Sequence, residues 1–452
     1  MKNNNSPRFL ALKTLMSAQK NGKYINLAAD GSINKSEMSE ADTSLFTSLV
    51  YGVTERKITL DYIISQMATK GGSHIEPRVM QILRMGLYQI IYLDKIPVHA
   101  AVNETVALCK SKGESSFVNA ILRNYIRDGK SRVVFPCEDE DRIKHLSVCY
   151  SYPEWICRSL TDDYGYENAK GILSAFSAEA PMATLRINTL IQSVEDFCSS
   201  LQRSGIEHTL TDYSDYGVRL REGAKITSID GFDDGVFFVQ DEASQISTQI
   251  LGAIPGELIV DTCTCPGSKS FGAAIEMSNI GSVYSFDLHE NKLSLVRDSA
   301  KRLKIDIITT RELDGRTPDA SLFGKADRVI CDVPCSGLGV MAKKPDIRYK
   351  SEEDIQRLAP LGLEILSKSA DYLKDGGVLI YSTCTLRKEE NERTVEAFLR
   401  ERSDFSLCPF EIKSNGCCPD IHSDGMLTLM PHIHKTDGFF IAKLQKKPSS
   451  QK

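Results

Sequence analysis

Two short motifs place thiols where a chain can use them. Asp332-Val333-Pro334-Cys335 follows an apolar run at 326–331, and Ser382-Thr383-Cys384-Thr385 follows another at 377–381. Both runs read as strands, and strand ends that break into a turn are where open α/β sheets collect their ligands. Cysteines delivered to one sheet edge, one of them preceded by a carboxylate, point to covalent catalysis. A pyrimidine base needs such help, because its C5 is too weak a nucleophile to take a methyl group unaided. A thiolate added at C6 turns the ring into an enamine, and C5 can then attack. A lone thiol is more often an inert core residue, so the weight rests on the pair and its order in the chain.

A second constellation lies at the turn after 258–261, in Val260-Asp261-Thr262-Cys263-Thr264-Cys265-Pro266-Gly267-Ser268-Lys269. Small residues and glycine there let backbone amides approach a ligand at a helix amino terminus. The stretch is not G-x-G-x-x-G, which argues against a dinucleotide. Asp287 ends the next strand, where an acid can take the two ribose hydroxyls of a nucleoside. Asp314, in Leu313-Asp314-Gly315-Arg316, ends the third and can face an adenine amino group; Asp332 ends the fourth. One such Asp alone is more often a cap or a turn residue. Acids at successive strand ends describe a pocket for a nucleoside with a cationic, carboxyl-bearing tail, which suits S-adenosyl-L-methionine.

A sheet must hold these residues, and from about 241 the pattern is strand, turn, helix, repeated. Strands are expected at 258–261, 282–287, 306–310, 326–332, 377–382 and 438–444, with helices at 268–277, 290–303, 351–373 and 389–400. Alternation of this kind predicts a mostly parallel, doubly wound, Rossmann-like sheet, followed by a longer irregular stretch before the last strand. Residues 145–240 read as a small α/β connecting unit, with helix around 155–176, strands at 183–188 and 206–210, and helix at 193–204. Residues 8–130 carry helical periodicity throughout, as in Met80, Leu83, Leu87, Ile90 and Ile91. The whole is therefore an α+β multidomain chain: an all-α domain over 1–135, the connecting unit over 145–240 and a catalytic domain over 241–446. The acidic run Glu138–Asp141 marks the first boundary.

The 452 residues are 41% hydrophobic and 25% charged, as in an ordinary soluble protein. No apolar run reaches the length of a membrane span, and the first residues lead into no signal core; a cytoplasmic location is expected, without membrane. Thirteen cysteines, an odd number, are no disulfide framework. Cys263-Thr264-Cys265 and Cys417-Cys418 have the wrong spacing for zinc, and the His432/His434 pair has no matching second set, so no metal is expected. The net charge of −5 is uneven: residues 1–135 hold 18 Lys+Arg and 11 Asp+Glu. A basic amino-terminal part can follow a phosphate backbone, or be a solvated helical surface.

The set Asp261–Lys269, Asp332–Cys335 and Thr383–Thr385 followed by Glu390-Asn391-Glu392 resembles the RNA cytosine-C5 methyltransferases, and most of all the bacterial RsmB (Sun) branch acting on small-subunit ribosomal RNA. That branch has a NusB-like amino-terminal domain. Tyr51-Gly52, Leu83 to Gln89 and Val118 to Arg123 carry this part of the match, and Val239–Ser244 and Asp437–Phe440 also fit. The resemblance implies a class I S-adenosylmethionine-dependent fold. It puts the cofactor loop on Cys263, Thr264, Cys265, Pro266, Gly267, Ser268 and Lys269, the ribose acid on Asp287 and the adenine-side acid on Asp314. Asp332 lies between cofactor and base, Cys384 is the nucleophile, and Cys335 serves product release. DNA cytosine methyltransferases use the Pro-Cys cysteine as nucleophile instead. The implied substrate is 16S ribosomal RNA, free or in an assembling subunit, at cytosine 967, and the implied state is a monomer. Lys343 to Arg348 would form a loop near the site whose cations hold the target's phosphates. The chain departs from the family at Thr264, Cys265, Ser268 and Ser270; Ser268 replaces a second glycine, where a side chain is expected to crowd the methionine moiety or shift the turn. Against the enzyme stands a second reading, a non-catalytic or weakly active RNA-binding or assembly protein that kept the fold, and a third, the same chemistry on transfer RNA, another RNA or DNA, differs only in target.

Overall fold

A computed structural model describes residues 6–21, 25–34, 36–68, 75–178, 182–221, 225–416 and 418–448. The chain divides into two compact units, one of residues 1–177 with 341–350 and one of 178–340 with 351–452.

The first unit is helical. Pro7–Asn21, Glu40–Glu55, Lys57–Met67, Pro77–Tyr92, Val98–Val106 and Lys112–Asn124 enclose a core in which Phe46, Leu49, Leu60, Leu83, Leu87 and Leu122 are fully buried. Ser39 and Ser111 start their helices by accepting the amides of Asp42 and Glu114. Gly52 and Gly86 allow close packing: a Cβ would lie 2.0 Å from the Tyr88 ring at the first and 2.8 Å from Leu122 at the second. The expected helix around 155–176 is two helices, Glu154–Tyr164 and Tyr166–Ala178, broken where Gly165 takes φ +79°.

Residues 341–350 correct one expectation. Arg348 is not a loop cation open to phosphate; it is fully buried in this helical unit. Its guanidinium donates to the carbonyls of Glu55, Ser151 and Met341 at 3.0–3.2 Å and lies 4.0 Å from the centre of the Tyr152 ring. A run of basic residues reads as solvated surface, yet guanidinium can be buried where carbonyls and an aromatic face replace water.

The second unit opens with a four-stranded antiparallel sheet of β1 (Thr184–Ile187), β2 (His208–Leu210), β3 (Gly217–Leu220) and β4 (Phe237–Val239) in the order β2-β3-β1-β4. The first two were legible in the sequence; the others were not, and their pairing with β1 makes them strands. Arg186 on β1 is fully buried and pairs with Glu276 at 2.7 Å.

The catalytic sheet has eight strands: β5 (Leu258–Asp261), β6 (Ser282–Asp287), β7 (Ile308–Glu312), β8 (Ala326–Asp332), β9 (Leu373–Thr383), β10 (Phe405–Leu407), β13 (Met426–Leu429) and β14 (Phe439–Lys446). Between β10 and β13, β11 (Phe410–Ile412) and β12 (Ile421–Ser423) form a separate hairpin. The order is β10-β14-β9-β8-β5-β6-β7, with β13 on β14. Strands β5 to β9 pair in parallel, so their carboxyl ends share one edge, while β14 joins β9 antiparallel. Chain order reverses about β5, which has β8 on one side and β6 on the other. That is where an open α/β sheet forms its crevice.

Candidate active site

Register alone brings the thiols together. Asp332 on β8 sits opposite Ser382 on β9, and each strand breaks into a turn within the next two residues. Cys335 and Cys384 therefore leave adjacent strand ends side by side, with their sulfurs 3.3 Å apart. Both are half-buried. Cys335 is pushed well above the ordinary thiol range, first by its hydrogen bond to Cys384 and then by burial. Cys331 is fully buried beside Ser369, the core residue that strand alternation predicts.

Asp332 stands beside this pair with 30% of its side chain exposed, open enough to meet a ligand. Ser382 Oγ donates to its Oδ1 and Lys269 Nζ to its Oδ2, both at 2.7 Å. Lys269 is itself buried, with Ser244 Oγ at 3.3 Å and the Phe439 ring 5.2 Å away. The sequence reading placed Lys269 only in the cofactor loop; the structure places its cation against the carboxylate beside the thiols.

Gly267 is the positive-φ residue of the loop, at φ +101°, and a Cβ there would lie 2.6 Å from the Phe271 ring. Ser268 is the first residue of the helix Ser268–Glu276, with ordinary helical backbone that serine adopts without strain. The positive-φ position thus remains a glycine, and Ser268 does not distort the turn. Ser270 is absorbed into the core: its hydroxyl meets Asp261 Oδ2 at 2.6 Å, Ser285 Oγ at 2.8 Å and Thr264 Oγ1 at 2.9 Å. Asp261, fully buried in this network, has its pKa raised to about 6 by desolvation. Its carboxylate accepts the Ser270 hydroxyl and the Cys263 amide, which ties the loop to the end of β5. Cys265 packs on the core and is raised to about 12 by burial and the neighbouring Asp287, while Pro266 is exposed.

A cavity of about 400 Å³ opens beside the loop, lined by Thr262, Cys263, Asp287, Leu288, Asp314 and Ile365, with Pro334 of the Asp-x-Pro-Cys turn at its border. Asp287 accepts the His289 amide at 3.0 Å. Asp314 is gripped by Arg316, whose guanidinium reaches both oxygens at 2.6–3.1 Å and holds the carboxyl below its usual range. Gly315 leaves the cavity room, since a Cβ there would meet Ile365 at 3.1 Å. An acid for ribose hydroxyls, aliphatic walls and a second acid fit a nucleoside of the expected kind.

Sequence reasoning saw Glu390-Asn391 as a signature and gave it no role. Asn391 is fully buried; its Oδ1 accepts Thr383 Oγ1 at 2.5 Å and its Nδ2 donates to Thr385 O at 2.9 Å, clamping both sides of Cys384. Glu390 Oε2 accepts the Ser336 amide at 2.8 Å, and Ser336 Oγ meets Thr385 Oγ1 at 2.7 Å. The acid and amide stand in the turn before the helix Glu392–Glu401, and only the fold reveals that they face the thiols.

His434 Nδ1 accepts the Met430 amide at 2.8 Å. Cys417 lies outside the described residues. Among those described, no three His, Cys, Asp or Glu side chains group as a metal site requires, and no helix is long and apolar enough to cross a membrane.

Against known proteins, the chain is 37% identical to the probable ribosomal RNA small subunit methyltransferase B of Bacillus subtilis, over 98% of this chain and 99% of that one. The chain belongs to the ribosomal RNA small subunit methyltransferase B family. The Synechocystis protein of the same description is 36% identical over 98% of this chain and 99% of its own length. Family profiles match three stretches: NusB family at 5–127, an RsmF/B-like ferredoxin-like domain at 152–227, and 16S rRNA methyltransferase RsmB/F at 248–445. The helical domain is thus NusB-like, the connecting unit ferredoxin-like and the catalytic domain a Rossmann-like methyltransferase. A solved methyltransferase homolog protein from Pyrococcus horikoshii superimposes with a TM-score of 0.59 at 28% identity, over 68% of this chain and 99% of that one.

Proposed function

We propose that the protein methylates C5 of a cytosine in 16S ribosomal RNA, specifically cytosine 967, using S-adenosylmethionine. The observation that carries this reading is the corner itself: paired thiols at 3.3 Å beside a carboxylate held by Lys269 and Ser382. Bound in the neighbouring cavity, with Asp287 on the ribose and Asp314 toward the adenine, the cofactor supplies an electrophilic methyl group.

Cys384, as thiolate, adds to C6 of a cytosine presented out of its helix. Asp332 and Lys269 put an acceptor and a donor side by side, which complements the amino and N3 edge of cytosine and offsets the charge that C6 addition pushes onto the ring. C5 then takes the methyl group, held in line by the site. Loss of the C5 proton restores the double bond and expels Cys384, with Cys335 assisting. The RNA, free or in an assembling subunit, meets a monomer whose residues 1–135 bear 18 basic and 11 acidic side chains, an excess suited to phosphate.

Tritiated methyl transfer to ribosomal RNA from a strain lacking the gene tests the reading. Incorporation at C5 of one cytosine, lost in Cys384→Ser, is the expected result. Absence of both incorporation and cofactor binding would favour a non-catalytic RNA-binding protein.

A further inference from the structure

Two thiols in contact raise a question of assignment: something must make one the nucleophile and leave the other protonated. The groups facing Cys335 can be named from every side. Cys384 approaches from the end of β9 at 3.3 Å, and Asp332 stands on the same turn as Cys335, with Lys269 on it at 2.7 Å. Glu390, 2% exposed, comes from the turn after β9 and accepts the amide of Ser336, the next residue after Cys335. The Tyr381 hydroxyl donates to the Glu390 carbonyl at 2.6 Å, and Arg387 lies 3.7 Å from Glu390 Oε1, beyond a hydrogen bond. Each cation in this set is paired with a carboxylate, Lys269 with Asp332 and Arg387 with Glu390, and the other oxygen of Glu390 accepts the amide next to Cys335. A negative neighbour in a dry site opposes ionisation of a thiol, and after the Cys384 hydrogen bond and burial, Glu390 and Asp332 both push the Cys335 pKa further up.

We propose that Glu390 is a positioning residue for product release: it fixes the Cys335 turn through the Ser336 amide and keeps Cys335 a neutral thiol that hydrogen-bonds the departing Cys384 sulfur. This rests on the reading of Cys384 as nucleophile. In the step, the C5–H electrons become the C5–C6 π bond, the C6–S pair returns to Cys384, and the C5 proton passes to water. The Cys335 S–H stabilises the released thiolate without being consumed. Without Glu390 the pair shares its protons less unequally, and Cys335 reaches its anionic form, useless as a donor, at lower pH.

Glu390→Gln separates charge from geometry, because the amide oxygen still accepts from Ser336. Wild type and variant would be given tritiated S-adenosylmethionine and ribosomal RNA from a strain lacking the gene, and the covalent protein–RNA band and free methylated RNA followed from pH 6 to 9.5. The expected result is adduct formation at the wild-type rate, with the alkaline limb of release moved down by about one pH unit and release slowed roughly tenfold on that limb. In a Cys335→Ala background the substitution should change release no further. Glu390→Asp, which keeps the charge, should restore the wild-type limb. An unchanged release profile in Glu390→Gln would overturn the proposal. So would equal loss of adduct formation and release with a lowered melting temperature, the mark of a purely structural residue. If wild type forms no adduct at all, the nucleophile reading fails and Glu390 falls with it, an outcome distinct from both.

Discussion

The thiol corner and the nucleoside cavity stand at carboxyl ends of the same sheet, yet they are held in different ways. At the corner, buried side chains tie the two turns together, Glu390 holding Ser336 and Ser336 meeting Thr385, while Asn391 clamps both neighbours of Cys384 within their own turn. In the cavity the closest partners are local, the His289 amide for Asp287 and Arg316 for Asp314, although Cys265 of the neighbouring loop also meets Asp287. The difference matches what each must do. Bond making requires reacting atoms fixed within fractions of an ångström, whereas binding alone tolerates some adjustment.

Substitutions that break this contrast should grade accordingly. Cys384→Ser should abolish methyl transfer while cofactor binding, read by calorimetry, stays unchanged. Asp332→Asn, which keeps the shape and removes the charge paired with Lys269, should lower single-turnover methyl transfer by about 10²–10³-fold, the loss typical of a group acting on developing charge. Asn391→Ala leaves the buried Thr383 hydroxyl and Thr385 carbonyl without this partner and should cost about 1–3 kcal/mol in denaturant unfolding, with activity falling further than stability alone explains. Asp287→Ala should weaken cofactor binding about tenfold, some 1.4 kcal/mol, and leave turnover at saturating cofactor nearly intact. If Asp287→Ala instead lost turnover as fully as Asp332→Asn, the contrast would collapse.

The smallest effect belongs to Arg316→Ala and shows in pH. Arg316 depresses the Asp314 carboxyl in the folded protein, so this pair stabilises the fold above the ordinary carboxylate value, about 3.9. That contribution is lost as pH falls through the lower folded value. The melting temperatures of wild type and Arg316→Ala should differ slightly at pH 6 and converge in acid.

Legibility followed the same division. Strands β5, β6 and β8 show in the sequence at the bounds the structure gives them, because each is a short apolar run ending in Asp. The elements between Phe405 and Leu429 did not show; none exceeds four residues, and their pairing with distant partners, not local periodicity, makes them strands. Cys335 and Cys384 could be brought together from the sequence because each follows a legible strand whose end shares one sheet edge. Glu390, Asn391 and the second contact of Lys269 could not, since buried polar partners are defined only by the fold that joins them. Arg348 misled for the converse reason: a charged side chain announces solvent, and carbonyls 197 and 293 residues away in sequence receive it instead.

The most direct test of the account is covalent capture with a small-subunit ribosomal RNA fragment carrying 5-fluorocytosine at position 967, in which fluorine blocks the proton loss that frees the enzyme. Wild type and Cys335→Ser should each give a denaturation-resistant protein–RNA adduct with S-adenosylmethionine, mapping by mass spectrometry to Cys384, and Cys384→Ser should give none. An adduct on Cys335, or one that persists in Cys384→Ser, would contradict the assignment of nucleophile on which the mechanism stands.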